Sequence, residues 1–228
     1  LTVAGSISDD YYKAEALRYI AVELAKAGQF DKALTVYGSI SDDSKKAWAL
    51  INIAVELAKA GQFDKALTVA GSISDDYYKA LALNFIASEL AKAGQFDKAL
   101  NVAGSISFDF LKALALRDIA SELAKAGRFD DALNVAGSIS DDSEKALTLI
   151  NIASELAEAG QFNKALTVAG SISDDFYKAE ALGYIAKELA KAGQFDKAVN
   201  LLNKKIDPYY TAYILISIHQ GYIESNKK

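Results

Sequence analysis

One short motif returns along this chain at a fixed spacing of 33 residues. The letters AGQF or AGRF place a glycine at positions 28, 61, 94, 127, 160 and 193. The apolar residues Ala14, Leu17 and Ile20 return with the same spacing as far as Ala212, Leu215 and Ile218. A period of this size is typical of arrays of small units, each of which buries its apolar face against its neighbours. The sequence therefore predicts a solenoid.

The ankyrin repeat also has 33 residues, and its signature is not present here. That repeat requires a Thr-Pro-Leu-His type of helix start, whereas Pro208 and His219 are the only proline and histidine in the chain. Strand-like alternation of apolar and polar residues is also absent, and a unit made of two helices is favoured.

Helical spacing of apolar residues predicts the two helices of the unit. Helix A spans residues 10–26 in the first unit, with Ser8 or Asp9 as its N-cap and Gly28 just beyond its C-terminus. Helix B begins near Gln29–Phe30. The predicted buried positions of these two helices are Ala14, Ala16, Leu17, Ile20, Ala21, Leu24, Ala25, Ala27, Phe30, Ala33, Leu34, Val36 and Tyr37.

Another glycine lies in the recurring segment Val-Ala-Gly-Ser-Ile-Ser. Ile40 keeps the helical phase of Val36 and Ala33, so we expect helix B to run through Gly38 to about Ile40. The absent side chain would then allow the next helix to approach closely. The alternative is an early helix end at Gly38, with residues 39–41 as a linker.

The segment Ala25–Leu34, AKAGQFDKAL, resembles the centre of a tetratricopeptide repeat. The positions that match the family in residue type and spacing are Leu17, Ile20, Ala21, Leu24, Gly28, Phe30 and Ala33. The unit is one residue shorter than in that family and has no proline after helix B, which indicates a 33-residue variant. The resemblance implies an all-α, right-handed superhelical solenoid of antiparallel helix pairs, in which helix A lines the concave face. It also implies binding of a peptide or a protein surface, without catalysis.

The sequence predicts that residues 1–228 form a single α-solenoid domain. The 33-residue period divides this domain into three parts. Residues 1–8 match a partial helix B of a truncated repeat, residues 9–206 form six repeats, and residues 207–228 form a C-terminal capping helix. Asp207 and Pro208 are the predicted N-cap and first residue of this last helix. This helix carries more tyrosines and isoleucines than one packing face can bury. It is therefore either a cap or a helix that presents an apolar patch for self-association.

Four positions of helix A vary most between repeats, and they lie away from the Leu/Ile core on the helical wheel. They predict four rows on one surface. Aromatic anchors for a bound peptide would be Tyr19, Trp48, Phe85 and Tyr184, and polar contacts would come from Arg18, Arg117, Asn52 and Asn151. The alternative is that the same positions reflect packing between repeats together with neutral drift.

A row of lysines borders the same face, with Glu158 in place of lysine in the fifth repeat. It indicates either a preference for acidic segments or solvated lysines paired with the glutamate three residues earlier, as Lys26 with Glu23. The Asp-Asp pairs at the starts of helix A are predicted to be helix caps rather than metal ligands. His219, in a slot that is alanine elsewhere, is expected to be partly buried.

Composition and motifs narrow the classes of function. The net charge of −5, with both signs interleaved, argues against nucleic acid, and no apolar run is long enough to cross a membrane. Catalytic constellations and phosphate-binding glycine motifs are absent, so we expect no enzyme, no metal and no cofactor. We expect a soluble, cytoplasmic scaffold that binds a protein or peptide. The alternatives are an assembly module that self-associates through its ends and a consensus-type repeat protein without a specific ligand.

Overall fold

A computed structural model of the protein describes residue 4, residues 6–203 and residues 208–226. Thirteen helices and no β-strand lie in these ranges. The helices are α1 (Asp10–Lys26), α2 (Phe30–Tyr37), α3 (Asp43–Lys59), α4 (Phe63–Gly71), α5 (Asp76–Lys92), α6 (Phe96–Gly104), α7 (Asp109–Lys125), α8 (Phe129–Gly137), α9 (Asp142–Glu158), α10 (Phe162–Ser171), α11 (Asp175–Lys191), α12 (Phe195–Asn200) and α13 (Pro208–Ser225). A 3₁₀ turn, Leu201–Asn203, follows α12.

The odd-numbered helices α1 to α11 are the predicted helices A, the even-numbered helices are the predicted helices B, and α13 is the predicted C-terminal capping helix. The chain forms two compact units, Leu1–Ala115 and Leu116–Lys228, and the boundary falls within α7. Inside each unit a helix A packs against its own helix B and against neighbouring helices A. The expected all-α repeat of helix pairs is therefore confirmed. Residues 1–3 and 5 of the predicted partial helix B at residues 1–8, and the predicted N-cap Asp207, lie outside the described residues.

Aspartate residues determine where most helices A begin. The carboxylate of Asp9 accepts hydrogen bonds from the backbone N–H groups of Tyr11 and Tyr12, at 3.0 and 3.1 Å. Asp75 and Asp174 cap α5 and α11 with the same pair of bonds. Asp42 and Asp141 cap α3 and α9 by accepting one bond each, from the N–H groups of Lys45 and Glu144. Because the first N–H groups of a helix have no partner within the helix, this side chain supplies one. The assignment of the Asp-Asp pairs as caps is confirmed for these helices.

A glycine in the left-handed conformation ends each helix A of the six repeats. The φ angles of these six glycines lie between 72° and 75°. In the first repeat Gly28 N–H donates to Ala25 O, and Gln29 N–H donates to Leu24 O, at 2.9 and 2.8 Å. These two bonds form a Schellman motif, which satisfies carbonyl groups at the end of the helix. The reversal places Phe30 two residues later at the start of helix B.

The glycine of Val-Ala-Gly-Ser-Ile-Ser behaves differently from the one at the end of helix A. It is the last or nearly the last helical residue in α4, α6, α8 and α10, and Gly38 is the C-cap of α2. Helix B therefore includes the glycine in four repeats but ends before the isoleucine. In the first repeat it ends at Tyr37, so the expected extension to Ile40 is wrong and the alternative of an early end at Gly38 is confirmed. The expected close approach of another helix is wrong, because a Cβ added at Gly104 would have no neighbour within 4 Å.

Small residues of helix A form much of the core. In the first repeat Ala14, Leu17 and Ala21 pack with Val36 and Ile40 in one buried cluster. Ile40 is buried although it lies beyond the end of helix B, and its counterparts are buried too: Ile73, Ile106, Ile139 and Ile172. The buried isoleucine therefore anchors the connection between repeats. Each such side chain contributes about 1.5–3 kcal/mol of hydrophobic stabilisation.

Helix α13 packs on α11 through two glycines. A Cβ added at Gly183 would lie 3.1 Å from Ser217 Oγ and would collide with the ring of Tyr213. A Cβ at Gly221 would lie 2.8 Å from the Cβ of Ala190. The buried face of α13 holds Ile214, Ser217 and Ile218.

The 33-residue phase therefore does not predict the burial of α13. Ala212 and Leu215 continue the repeat pattern but are exposed, because no helix B covers them in the part of the chain that the structure describes. Among the described residues, no helix combines the length and the apolarity that crossing a membrane requires.

Candidate binding surface

Three of the predicted anchors lie in the first unit, on successive helices A. Tyr19 on α1, Trp48 on α3 and Phe85 on α5 are all exposed, Trp48 and Phe85 with 42% of their surface accessible. Beyond the first turn of these three helices, every other large apolar side chain is buried or half-buried. Helix α3 packs directly against α1 and α5. Exposed aromatic side chains therefore recur along one face of neighbouring helices.

Contacts within α1 hold Arg18 and Tyr19. The guanidinium of Arg18 donates two hydrogen bonds to the carboxylate of Glu15, from Nη2 at 2.5 Å and from Nε at 3.2 Å. Its carbon Cζ lies 4.2 Å from the centre of the Tyr19 ring. The hydrogen bond from Arg18 lowers the pKa of Glu15, while partial burial opposes the change. This bidentate pair with a stacked ring gives a defined conformation to two side chains on the surface.

The predicted polar contact Asn52 lies next to Trp48. Its Nδ2 donates to the backbone carbonyl of Trp48 at 2.7 Å. This bond uses one N–H group of the Asn52 amide and does not involve its oxygen or its second N–H group. The indole of Trp48 in turn contacts Tyr78 edge to face, with ring centres 5.7 Å apart.

The other three predicted residues lie in the second unit. Arg117 Nη1 donates to Glu144 Oε2 at 2.7 Å, so its charge is already paired with the neighbouring helix α9. Asn151 Nδ2 donates to Ser121 Oγ at 3.2 Å, which joins α9 to α7. Tyr184 is exposed on α11. In this unit the two polar candidates contribute to contacts between repeats, and only Tyr184 is an exposed aromatic candidate.

The expectation that all four variable rows share one exposed surface is wrong. In the row that contains Arg18, the side chains of Ile51, Asn84 and Ile150 are buried. Asn84 Nδ2 donates to the carbonyl of Leu111 at 3.0 Å, and thereby joins α5 to α7 inside the first unit. Val22 and Ser88, in another row, are also buried. Packing between repeats accounts for these buried positions. The row that contains Trp48 and the row that contains both Tyr19 and Phe85 remain accessible.

A second aromatic feature, which the sequence analysis did not single out, lies near the N-termini of helices A. Trp48, Tyr78, Tyr77 and Phe108 form a connected series of edge-to-face contacts, with ring centres 5.6 to 5.9 Å apart. We call these four residues the aromatic ladder. Phe108 occupies the slot of the capping aspartate and contacts Tyr77 instead. The signal was present in the sequence as aromatic pairs beside the cap, such as Asp76-Tyr77-Tyr78.

The lysines of the row that borders this face are paired with glutamates three residues earlier, which was one of the two interpretations of this row. Lys26 Nζ lies 2.8 Å from Glu23 Oε1, and four other repeats show the same pair. The fifth repeat has Glu158 in the lysine position. Burial raises the pKa of Glu155, and the nearby negative charge of Glu158 raises it further.

Helix α13 exposes apolar side chains on the side away from α11. Leu215, Ile216 and Ile223 are exposed, with 50%, 58% and 41% of their surfaces accessible. His219 lies on the same side and is exposed too, so the expected partial burial of this residue is wrong. Lys187 of α11 forms a 2.7 Å ion pair with Glu224, near the C-terminus of α13. This bond lowers the pKa of Glu224.

The fold and the exposed residues define a helical repeat protein built from 33-residue helix pairs. No protein-family model matches the chain, and no curated protein matches it. Among solved structures, the chain is similar to the crystal structure of Ton1535 from Thermococcus onnurineus NA1, with 18% sequence identity and a TM-score of 0.29. The likeness covers 94% of this chain and 93% of that chain.

Proposed function

We propose that the chain is a non-catalytic interaction scaffold that binds a peptide or protein segment on the helix-A face. The observation that supports this proposal is the exposure of Tyr19, Trp48 and Phe85 on three neighbouring helices of the first unit. Large aromatic side chains are costly to leave in water and supply much of the binding energy at protein interfaces. Tyr184 is the corresponding exposed aromatic candidate within the second unit.

Polar groups between the anchors suit an extended peptide backbone. The amide of Asn52 can accept and donate beside Trp48, while the Arg18 guanidinium already holds Glu15 and Tyr19 in place. Because side chains held in one conformation lose little entropy on binding, such an arrangement favours affinity. Arg117 and Asn151 already bond to Glu144 and Ser121, and they would contribute mainly by positioning the helices.

A peptide library displayed on phage and selected against the whole chain tests this proposal. The affinity of a selected peptide is then compared between the wild type and the double variant Trp48→Ala/Phe85→Ala. We expect a loss of at least about 30-fold, which corresponds to a hot-spot contribution of about 2 kcal/mol. The matched control is Tyr12→Ala/Phe110→Ala, which removes exposed aromatic side chains elsewhere on the helices.

A second candidate function is self-association through the C-terminal helix, which the exposed Leu215, Ile216 and Ile223 favour. Apolar side chains grouped on one helix face commonly mark a protein interface. Sedimentation of the wild type and of Ile216→Lys tests this function. A concentration-dependent oligomer that the substitution abolishes would support it, and a monomer in both proteins would refute it.

A further inference from the structure

A polar groove of about 400 Å³ lies in the first unit, between the first turns of α3, the end of α2 and the loop after α4. Two tyrosines line it, Tyr37 from α2 and Tyr78 from α5. Its volume falls within the range of small-molecule sites in proteins. We propose that this groove binds the ring of a neutral carbohydrate, a function beyond peptide binding and independent of it.

Two departures from the repeat pattern coincide at this groove. The slot of Tyr37 is alanine in the next four repeats, at Ala70, Ala103, Ala136 and Ala169. The slot of Ser44 holds an aromatic residue in the flanking repeats, Tyr11 and Tyr77. At the position of Tyr37 the groove therefore has a large side chain where the next four repeats have a small one. At the position of Ser44 it has a small side chain where the flanking repeats have a large one. The groove combines an added aromatic side chain with the space that Ser44 leaves.

The groove has an apolar floor and a polar rim. Ala47, Leu50 and Ile73 are buried residues that contribute to the lining. The rim carries carboxylates, hydroxyls and one ammonium group, from Asp43, Asp75, Ser44, Ser72, Ser74 and Lys46. Oδ1 of Asp75 caps α5 by accepting hydrogen bonds from the N–H groups of Tyr77 and Tyr78. Oδ2 takes no part in these two bonds.

This mixture of groups favours a neutral polyhydroxyl ring over other ligands. A hydrophobic anchor would remove water from Asp43, Lys46 and Asp75 without giving them hydrogen bonds, which is costly. A simple anion would meet two carboxylates, and a simple cation would meet Lys46. Sugar hydroxyl groups can donate to the carboxylates and accept from the ammonium group. The hydroxyls of Ser44 and Ser74 can do either, whereas Ser72 Oγ already donates to Val69 O at 2.7 Å and can accept. The C–H groups of a sugar ring can lie on the electron-rich face of a tyrosine.

One member of the aromatic ladder lines this groove. Tyr78 belongs to both, and its ring contacts Trp48 on one side and Tyr77 on the other. Tyr77 and Phe108, whose rings are exposed and do not line the groove, continue the series of ring contacts from Tyr78. Further sugar units of an oligosaccharide could therefore contact aromatic rings after the first unit has entered the groove. We expect a disaccharide to bind more tightly than a monosaccharide for this reason.

Trp48 provides a direct readout, because it is the only tryptophan in the chain and it contacts Tyr78. The whole chain is titrated with glucose, maltose and cellobiose while tryptophan fluorescence is recorded under selective excitation. Glucosamine and glucuronate, at matched ionic strength, serve as cationic and anionic comparators. We expect saturable binding of a neutral disaccharide with a dissociation constant of about 1 mM or tighter.

Two variants test the groove itself. Tyr37→Ala and Ser44→Tyr install residues that other repeats hold in the same slots, so both should fold, and circular dichroism checks that they do. We expect each to weaken disaccharide binding at least about tenfold, which is 1.4 kcal/mol. The matched control Ser143→Tyr makes the same change in the second unit and should leave binding unaltered. Absence of saturation with both disaccharides, binding of the charged sugars alone, or unchanged affinity in both groove variants would overturn the proposal.

Discussion

Two glycines ten residues apart provide a sharp test of how the repeat is built. Gly94 ends α5 with a φ of +73°, whereas Gly104 is the last residue of the helix α6. A Cβ added at either position would have no neighbour within 4 Å. The substitutions Gly94→Ala and Gly104→Ala therefore differ only in backbone conformation. Their effects on the free energy of unfolding should have opposite signs.

The magnitudes follow from backbone energetics. Alanine in the left-handed region costs about 1–2 kcal/mol, and the stiffer unfolded chain offsets part of that cost. Gly94→Ala should therefore destabilise the protein by about 1 kcal/mol. Alanine is favoured over glycine within a helix by up to about 1 kcal/mol, and by less in a last turn. Gly104→Ala should stabilise the protein by about 0.5 kcal/mol.

Thermal and urea unfolding of the two single variants, followed by circular dichroism, measure this difference. For a chain of this size, 1 kcal/mol corresponds to a change in Tm of about 2–4 °C. We expect Tm to fall for Gly94→Ala and to rise slightly for Gly104→Ala. If Gly104→Ala destabilised the protein as much as Gly94→Ala, the assignment of Gly104 to an open helical position would be wrong.

Two further predictions concern charge. Glu158→Lys should restore the lysine–glutamate pair of the other repeats, stabilise the protein by about 0.2–0.5 kcal/mol and lower the pKa of Glu155, which NMR titration can follow; an unchanged pKa would contradict this account of Glu155. The pKa of Glu224 is below its ordinary value of 4.5, so its ion pair stabilises the protein above that pH and is lost as the pH falls through the lowered pKa. The loss of stability on acidification should therefore be smaller in Glu224→Gln than in the wild type, and equal pH profiles would refute the role of the pair.

The sequence was sufficient to predict the repeat itself. The 33-residue spacing predicted both helices of the unit, and helix A ends where Gly28 predicted. The aspartate caps were predictable too, because capping depends on local backbone geometry that a short segment determines. The resemblance to tetratricopeptide repeats led to the correct arrangement of helix pairs, although no family model supports that name.

The surface was predicted less well than the helices. Ile51 of α3 occupies the repeat position of Arg18, which is next to the position of Tyr19 on the helical wheel. Ile51 is nevertheless buried between repeats, whereas Tyr19 is exposed. A helical wheel describes one helix, whereas burial depends on the neighbouring helix, whose distance and rotation the wheel does not contain. The same reason explains α13, where two glycines allow close packing on α11 and Leu215 is left exposed.

The function of the glycine in Val-Ala-Gly-Ser-Ile-Ser was also misjudged. A glycine inside a helix suggested close approach, because that is a common reason for the absence of a side chain. The structure instead has open space at Gly71, Gly104, Gly137 and Gly170. Beyond the glycine, the buried residue of this segment is the isoleucine two positions later, which lies outside the helix. Sequence phase identified that isoleucine correctly while giving the wrong reason for the glycine.

The affinity of one selected peptide for three proteins tests the proposed function most directly. Isothermal titration compares the wild type, Trp48→Ala/Phe85→Ala and the control Tyr12→Ala/Phe110→Ala under the same conditions. The proposal predicts that the affinity falls at least about 30-fold in the first variant and stays within about threefold in the control. Equal losses in both variants, or none in the first, would contradict a binding surface on the helix-A face.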